Sequence, residues 1–332
     1  MKAENNLKEL LKIDFPVIMA PMFLVSNLSM MKSGIRSGIM ATFPTLNYRK
    51  DGELEKILDE LNEYSKSYNG SYGVNIIVQR SNPLSLKHTK ICLDKKVPFF
   101  ITSLGNPKEV IEGAHRYGGK VFCDVTNIEH AKKCHSVNCD GFIAVGQGAG
   151  GHAGPNPLQV LIPALKEHFP NTPVIAAGGI TSGAGLLSAQ VLGASGASVG
   201  TRFIASTEAG VNDNYKNAIV SSGMEDIVMT TKLSGTPCAV INNDAAKKMG
   251  YTQNWFEKAL SNNPQTKKWF KMLVQVRGMK KLEKSVLPNN YLSLWTAGKS
   301  SELIHDIISC EEIVTRIKKE YAESLAELHS FM

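Results

Sequence analysis

Eight short apolar runs recur between residues 16 and 200 with stretches of helical pattern between them, and this alternation constrains the fold more than any other property of the chain. The runs are 16–20, 38–42, 72–78, 97–102, 120–125, 140–145, 173–177 and 195–200. Helical pattern fills 27–37, 53–67, 83–95, 107–117, 127–136, 157–168 and 183–192, with a short lead-in helix at 4–12. A strand that is apolar throughout must be covered on both faces, as parallel strands are when helices pack on the sheet. Eight such units in about 200 residues favour closure over an open doubly wound sheet, so the expected fold is α/β, a (β/α)8 TIM barrel.

Beyond Phe203 the rhythm changes. Residues 210–299 read as helices and polar loops, with pieces at 218–223, 242–250, 255–261 and 266–281 and no further barrel strand. They are expected to form an added small helical lobe over the barrel mouth, a substrate or lid lobe, with Trp255, Trp269 and Phe270 in its core. The amphipathic stretch 301–328 is expected to return as a last helix outside the barrel. The barrel then comprises residues 1–209 and 300–332.

With 332 residues, 43% hydrophobic and 20% charged, the chain has the material for a full core. Its formal net charge of +7 is not gathered into a dense Lys/Arg run with interleaved aromatics, which argues against a nucleic-acid partner. No run of about 18 apolar residues exists, so no membrane association is expected. The six cysteines form no C-x-x-C pair and no tight framework, and a reduced, cytoplasmic protein is the default expectation.

In such a barrel the chemistry gathers at the carboxyl ends of the strands. The richest of these is the loop after the sixth run, Gly146-Gln-Gly-Ala-Gly-Gly-His-Ala-Gly154, whose one ionisable side chain is His152. Gly146-x-Gly148-x-x-Gly151 matches a dinucleotide fingerprint, yet Pro155 and Pro157 oppose the helix that the fingerprint requires. Glu167 stands at the spacing of its acidic residue but precedes the next strand. Gly178-Gly179, followed by Ser182 at a helix start, and Gly200-Thr201 are two glycine-bearing turns at the last two strands. Backbone N–H groups and a helix dipole there suit a phosphate. A flat phosphorylated cofactor across the mouth follows from shape and position. FMN fits, with its phosphate at these turns, its ring over the barrel centre, residues 20–22 along one edge and Asn75 offering its amide.

Five ordered segments resemble one family: Pro16-Val-Ile-Met-Ala-Pro-Met22, Gly73-Val-Asn75, Ala149-Gly-Gly-His-Ala-Gly154, Pro173-Val-Ile-Ala-Ala-Gly-Gly-Ile180 and Gly193-Ala-Ser-Gly-Ala-Ser-Val-Gly-Thr-Arg-Phe203. In order and spacing they are similar to the nitronate monooxygenase (2-nitropropane dioxygenase) family, and Trp295-Thr-Ala-Gly-Lys299 resembles its Trp-x-x-Gly element. The resemblance implies an FMN-containing barrel, a flavoprotein oxidoreductase. By position, Ala20, Pro21, Met22, Asn75, Gly150, Gly151, Gly178, Gly179, Ser198, Val199, Gly200 and Thr201 would line FMN, with His152 as catalytic base and no metal. Gly148 stands where many members carry Glu, and Lys299 where many carry Gln.

The implied activity is oxidation of alkyl nitronates, such as propionate 3-nitronate, by O2. A nitronate is an electron-rich carbanion equivalent, and a neutral nitroalkane needs a base with a pKa near neutrality, which histidine supplies. Flavin-dependent enoyl-acyl-carrier-protein reductases and some quinone reductases share much of this pattern. They supply the alternative, an NAD(P)H-dependent FMN reductase with acyl carrier protein or NAD(P)H as partner. Oligomeric state, including a homodimer, stays open. His130, Cys134, His135 and Cys139 lie on the fifth helix and its exit, away from the mouth, which argues against zinc. Gly298-Lys-Ser lacks the first glycine of a P-loop, Ser293 standing there. Asp124, at the end of the fifth run, reads equally as mouth-facing or as a buried cap.

Overall fold

The computed structural model describes residues 7–79, 81–233, 235–252 and 294–330. Six parallel strands, β1 (Val17–Met19), β2 (Met40–Pro44), β3 (Ser71–Ile77), β4 (Phe99–Ser103), β5 (Lys120–Val125) and β6 (Gly141–Val145), follow one another around a closed barrel. A two-residue strand outside it, β7 (Gly151–His152), interrupts the sequence before β8 (Val174–Ala177) and β9 (Gly196–Val199) complete it. Closure is by β9 on β1, with Val17 opposite Ala197 and Met19 opposite Val199. The eight barrel strands coincide with the eight apolar runs.

The runs are apolar throughout because each strand buries both faces. Ile18, Met40, Phe99, Ile101, Phe122, Ile143 and Ile175 point inward and form one cluster. It is closed from below by Leu7 and Leu11 of α1 (Leu7–Leu11) and by Ile13. Their strand neighbours, among them Met19, Ala41, Phe100, Cys123, Phe142 and Ala176, belong to the outer core against the helices. Small residues admit the two inner phenylalanines: a Cβ on Gly73 would lie 2.6 Å from Phe99 Cδ1, and one on Gly141 would lie 2.5 Å from Phe122 Cζ. Those two rings meet edge to face at 5.2 Å.

The outer ring is α2 (Leu28–Arg36), α3 (Glu53–Ser65), α4 (Ser85–Asp94), α5 (Lys108–His115), α6 (Ile128–His135), α7 (Leu158–His168) and α8 (Gly183–Val191). Asn27, Asn127 and Ser182 cap α2, α6 and α8, each side chain accepting an N–H three residues on. After the four-residue α9 (Thr201–Ile204) comes α10 (Asp213–Ser221).

The 210–299 stretch departs from the sequence reading in one respect. An antiparallel hairpin, β10 (Ile227–Thr230) with β11 (Cys238–Ile241), stands where helices and polar loops are expected, and β11 also pairs with β7. Both strands have four residues, too few for period-two alternation to separate them from loop, although Gly235 and Pro237 between them are turn residues. The helix α11 (Asp244–Met249) follows, within the expected piece 242–250. The expected pieces 255–261 and 266–281, with Trp255, Trp269 and Phe270, lie outside the described residues.

The last helix, α12 (Cys310–Ser330), starts later than 301. Residues Lys299–Leu303 form a 3-10 turn, and Ser309 and Glu312 make a reciprocal cap: Ser309 N–H donates to Glu312 Oε2 at 2.9 Å and Glu312 N–H to Ser309 Oγ at 3.2 Å. This helix lies on α8 so closely that a Cβ on Gly183 would sit 2.0 Å from the Tyr321 nitrogen. Among the described residues no helix is long and apolar enough to cross a membrane.

Candidate active site

Alternation along the strands decides what the barrel mouth presents. With Phe99, Ile101, Phe122, Ile143 and Ile175 directed inward, the next inward positions at the carboxyl ends are Ser103, Asp124, Val145 and Ala177. Gly73 and Gly196 also face inward, since a Cβ on either would strike Phe99 or Leu7, and this turns Asn75 and Ser198 to the same layer. The uppermost inner layer is therefore part polar, part small and apolar, above a core of Ile and Phe.

Three of its members are hydrogen-bonded in series. Asn75 Nδ2 donates to the Ile101 carbonyl at 3.1 Å and to Ser103 Oγ at 2.8 Å, and Ser103 Oγ donates to Asp124 Oδ2 at 2.5 Å. The amide hydrogens of Asn75 are thus turned to the wall. Its Oδ1 is left as the acceptor. Burial pushes the Asp124 carboxyl up to about 6, against the pull of the Ser103 hydrogen bond. The sequence reading leaves Asp124 undecided and passes over Ser103 as a site residue, because the facing of one residue near a strand end depends on register.

The glycine rim is held by backbone against backbone. A Cβ on Gly178 would lie 2.6 Å from the Ala149 nitrogen, one on Gly150 2.7 Å from the Gly298 nitrogen, and one on Gly298 2.6 Å from the Gly148 carbonyl oxygen. Gly148 itself faces the Gly178–Gly179 turn, where a Cβ would lie 3.2 Å from the Gly179 nitrogen. A glutamate at 148 would have to push this turn away, which gives a packing reason for glycine at that position. Thr201 Oγ1 accepts the Gly298 N–H at 3.0 Å and so fixes the third segment of the rim. Gly298 arrives there on a segment anchored by Trp295, whose ring stacks on Tyr215 at 5.5 Å, and by Tyr215 Oη donating to the Thr296 carbonyl at 2.6 Å.

Gly151 and Gly179 differ from their neighbours. Both have positive φ, 69° and 78°, and no atom lies within 4 Å of where a Cβ would be. They border open space, and their backbone is what a ligand in the mouth would meet. On the other side Ala20 N–H donates to the Val199 carbonyl at 2.9 Å, and Met22 is tied to Ser26 and Asn47. The Met22 sulfur lies 3.9 Å from where a Gly200 Cβ would be, so 20–22 and 200 form one edge. Val199 turns its side chain outward into the helix-facing core and offers the mouth only backbone.

His152 is held by strand pairing. It lies opposite Cys238 of β11, with Gly151 opposite Ala239, so the hairpin that sequence reasoning missed positions the histidine it singled out. Its ring is reachable by solvent, yet protein atoms crowd it closely enough that desolvation lowers its pKa below the usual 6.5. It is thus neutral near pH 7.

The helix dipole expected beyond Ser182 is employed otherwise. Ser182 Oγ accepts the Gly185 N–H at 3.1 Å, and the Gly183 N–H donates to Glu320 Oε2 of α12 at 2.9 Å. A carboxylate already occupies the N-terminus of α8. Arg202 is also withdrawn. It is 5% exposed and pairs with Asp306 at 2.9 Å, clamping the approach to α12. His130 Nδ1 meets Thr126 Oγ1 at 3.1 Å, the His135 ring lies 5.0 Å from that of Phe169, and Cys134 and Cys139 approach the thiol of Cys123.

The groups at this end suit a flat heterocycle with a phosphate tail by their chemistry. The upper layer is small and neutral around Val145 and Ala177, Asn75 Oδ1 is left as an acceptor, and Gly151 and Gly179 border open space.

Comparison with known proteins agrees. The family model described as nitronate monooxygenase matches residues 42–320. The structure of FabK from Thermotoga maritima superposes with a TM-score of 0.84 at 28% identity, covering 99% of both chains. A probable nitronate monooxygenase of Staphylococcus aureus is 29% identical, over 74% of this chain and 80% of its own. The (3aS,4S,5R,7aS)-5-hydroxy-7a-methyl-1-oxo-octahydro-1H-indene-4-carboxyl-CoA dehydrogenase of Mycobacterium tuberculosis is 27% identical, over 79% of this chain and 73% of its own. With its barrel, its glycine rim and a family match over most of its length, the chain belongs to the nitronate monooxygenase family of flavin-dependent oxidoreductases.

Proposed function

We propose that the protein is an FMN-dependent oxidoreductase that oxidises alkyl nitronates, such as propionate 3-nitronate, with O2, and that His152 is its base. The observation that carries this reading is the pinning of a neutral histidine in the loop above the barrel by β11. Bound flavin would supply the electron-accepting ring. The protein's own part is to orient and deprotonate. The Gly178–Gly179 and Gly200–Thr201 turns hold the phosphate, residues 20–22 line one edge, Asn75 Oδ1 accepts from the ring, and Gly150 and Gly151 bring the backbone over it. His152, neutral at pH 7, takes the α-proton of a neutral nitroalkane, while a nitronate arrives without that proton. The 210–299 stretch acts as the substrate lobe, and its hairpin ties it to the catalytic loop.

A second reading has an observation in its favour. Among the described residues the one ionisable side chain in the upper inner layer is acidic, Asp124, and no cation stands there to hold an anionic nitronate. An NAD(P)H-dependent reductase or dehydrogenase of thioester-borne acyl groups, on CoA or acyl carrier protein, has no such requirement. The relatives include FabK and a dehydrogenase named for a carboxyl-CoA substrate. Anaerobic mixing of flavin-loaded protein with nitronate separates the two. The first reading expects bleaching of the flavin band by nitronate alone; bleaching by NADH or NADPH with nitronate inert supports the second.

A further inference from the structure

The Asn75–Ser103–Asp124 series has a fixed direction. The Ile101 carbonyl carries no proton, so the Asn75 atom facing it at 3.1 Å must be the amide nitrogen. That nitrogen's second hydrogen goes to Ser103 Oγ, and Ser103 gives its own proton to Asp124 Oδ2. Asp124 can only accept through Oδ2. A proton that it takes up must sit on Oδ1.

Among the described residues this carboxyl has no oppositely charged partner. Neither β4 nor β6, which flank β5, has a titratable side chain. On α6, the Cys134 thiol is pushed up by its hydrogen bond with Cys123, by burial and, least, by the Asp124 charge, and buried Cys123 beside it is also raised. At the opposite end of β5, His115 of α5 and Lys120 are both taken up by Asp140. Along the same helices Lys108 pairs with Glu112 and Lys132 with Glu129, His130 meets Thr126 Oγ1 at 3.1 Å, and Glu109 and Lys133 are exposed. His152, in the loop above β6, is neutral near pH 7. Among the described residues no cation pairs with Asp124, so a second negative charge in the mouth would meet its carboxylate.

We propose that Asp124 is a proton-holding residue coupled to the redox state of the cofactor. When a two-electron donor, a hydride source or dithionite, reduces the flavin, the ring takes up one proton and Asp124 takes up a second on Oδ1. The pair of electrons is thus balanced by two protons, and the negative charge left on the ring does not face an ionised carboxylate. Reoxidation returns both protons. The inference rests on the flavin lying across the mouth as proposed above.

The test is the midpoint potential of FMN-loaded protein between pH 5 and 9, for wild type, Asp124→Asn and Ser103→Ala. For a two-electron couple each proton taken up adds about 30 mV per pH unit. Over the window between the pKa values of Asp124 with oxidised and with reduced cofactor, wild type is expected to run steeper than Asp124→Asn by about that amount. Ser103→Ala removes a hydrogen bond that favours the ionised form and should move the steep window to higher pH. It also serves where Asp124→Asn does not fold. Parallel wild-type and Asp124→Asn lines, or a Ser103→Ala window that does not move, overturn the inference while leaving the flavin in place. A folded wild-type protein with no visible flavin band after loading overturns the cofactor reading instead, and the inference with it.

Discussion

The two ends of the barrel are built from the same strands and differ in what each strand turns inward. At the amino end the interior is Ile18, Met40, Phe99, Phe122 and Ile143, plugged by Leu7 and Leu11 from outside the strand sequence. At the carboxyl end the same alternation delivers Asn75, Ser103, Asp124 and Ser198 under a rim of glycines. One end excludes water and carries stability. The other keeps polar groups at a surface where a ligand can reach them, and accepts a carboxyl whose ionisation is penalised by burial. Division of a barrel into a stability face and a chemical face is general; here it turns on the identity of one or two residues per strand.

Substitutions at the two ends should separate the two roles. The largest effect is expected from Phe99→Ala at the lower end, which should cost about 3–5 kcal/mol in denaturant unfolding because the residue is fully buried. At the upper end His152→Ala should lower kcat/KM for a neutral nitroalkane by about 10²–10⁴-fold while leaving the unfolding midpoint in place. The lowered pKa of His152 also sets a direction. Base-dependent turnover should persist as pH falls through 6.5 and lose activity only below it, and an acid limb above 6.5 would contradict the desolvated histidine.

Asp124→Asn sharpens the comparison through stability. A carboxyl whose pKa is raised on folding contributes most when it is protonated, below its unfolded value, and that contribution is lost as pH rises through about 6. Wild type should therefore be less stable than the variant at pH 8 by about 2–3 kcal/mol, with the gap closing toward pH 4. Thermal unfolding of the apoprotein across this range is the check, and a constant gap would contradict it. Thr201→Val should have the smallest effect, about 1 kcal/mol, by removing the acceptor for the Gly298 N–H.

The fold was legible because each barrel strand is buried on both faces and so leaves an uninterrupted apolar run between helical stretches. His152 stands out in the sequence because it is the one ionisable group in a glycine-rich loop. Other features depend on contacts far apart in sequence. Thr201 meets Gly298 across 97 positions, and Glu320 takes the Gly183 N–H across 137. The second of these removes a helix terminus that sequence alone assigns to a phosphate. The parity of Asp124 required knowing which way Phe122 points, and β10 and β11 are too short to announce themselves. Which end of the Asn75 amide stays free is set by the Ile101 carbonyl, which engages its nitrogen.

The division of labour between the two ends is tested most directly by equilibrium FMN binding to apoprotein carrying either Gly179→Asn or Leu11→Ala. Asparagine tolerates the positive φ of 78° at position 179, and its side chain would enter the open space that glycine leaves. The account predicts an FMN Kd raised by about 100-fold in Gly179→Asn with thermal stability nearly retained, and an unchanged Kd in Leu11→Ala, whose loss appears in stability alone. Wild-type affinity in Gly179→Asn, or lost affinity in folded Leu11→Ala, would contradict it.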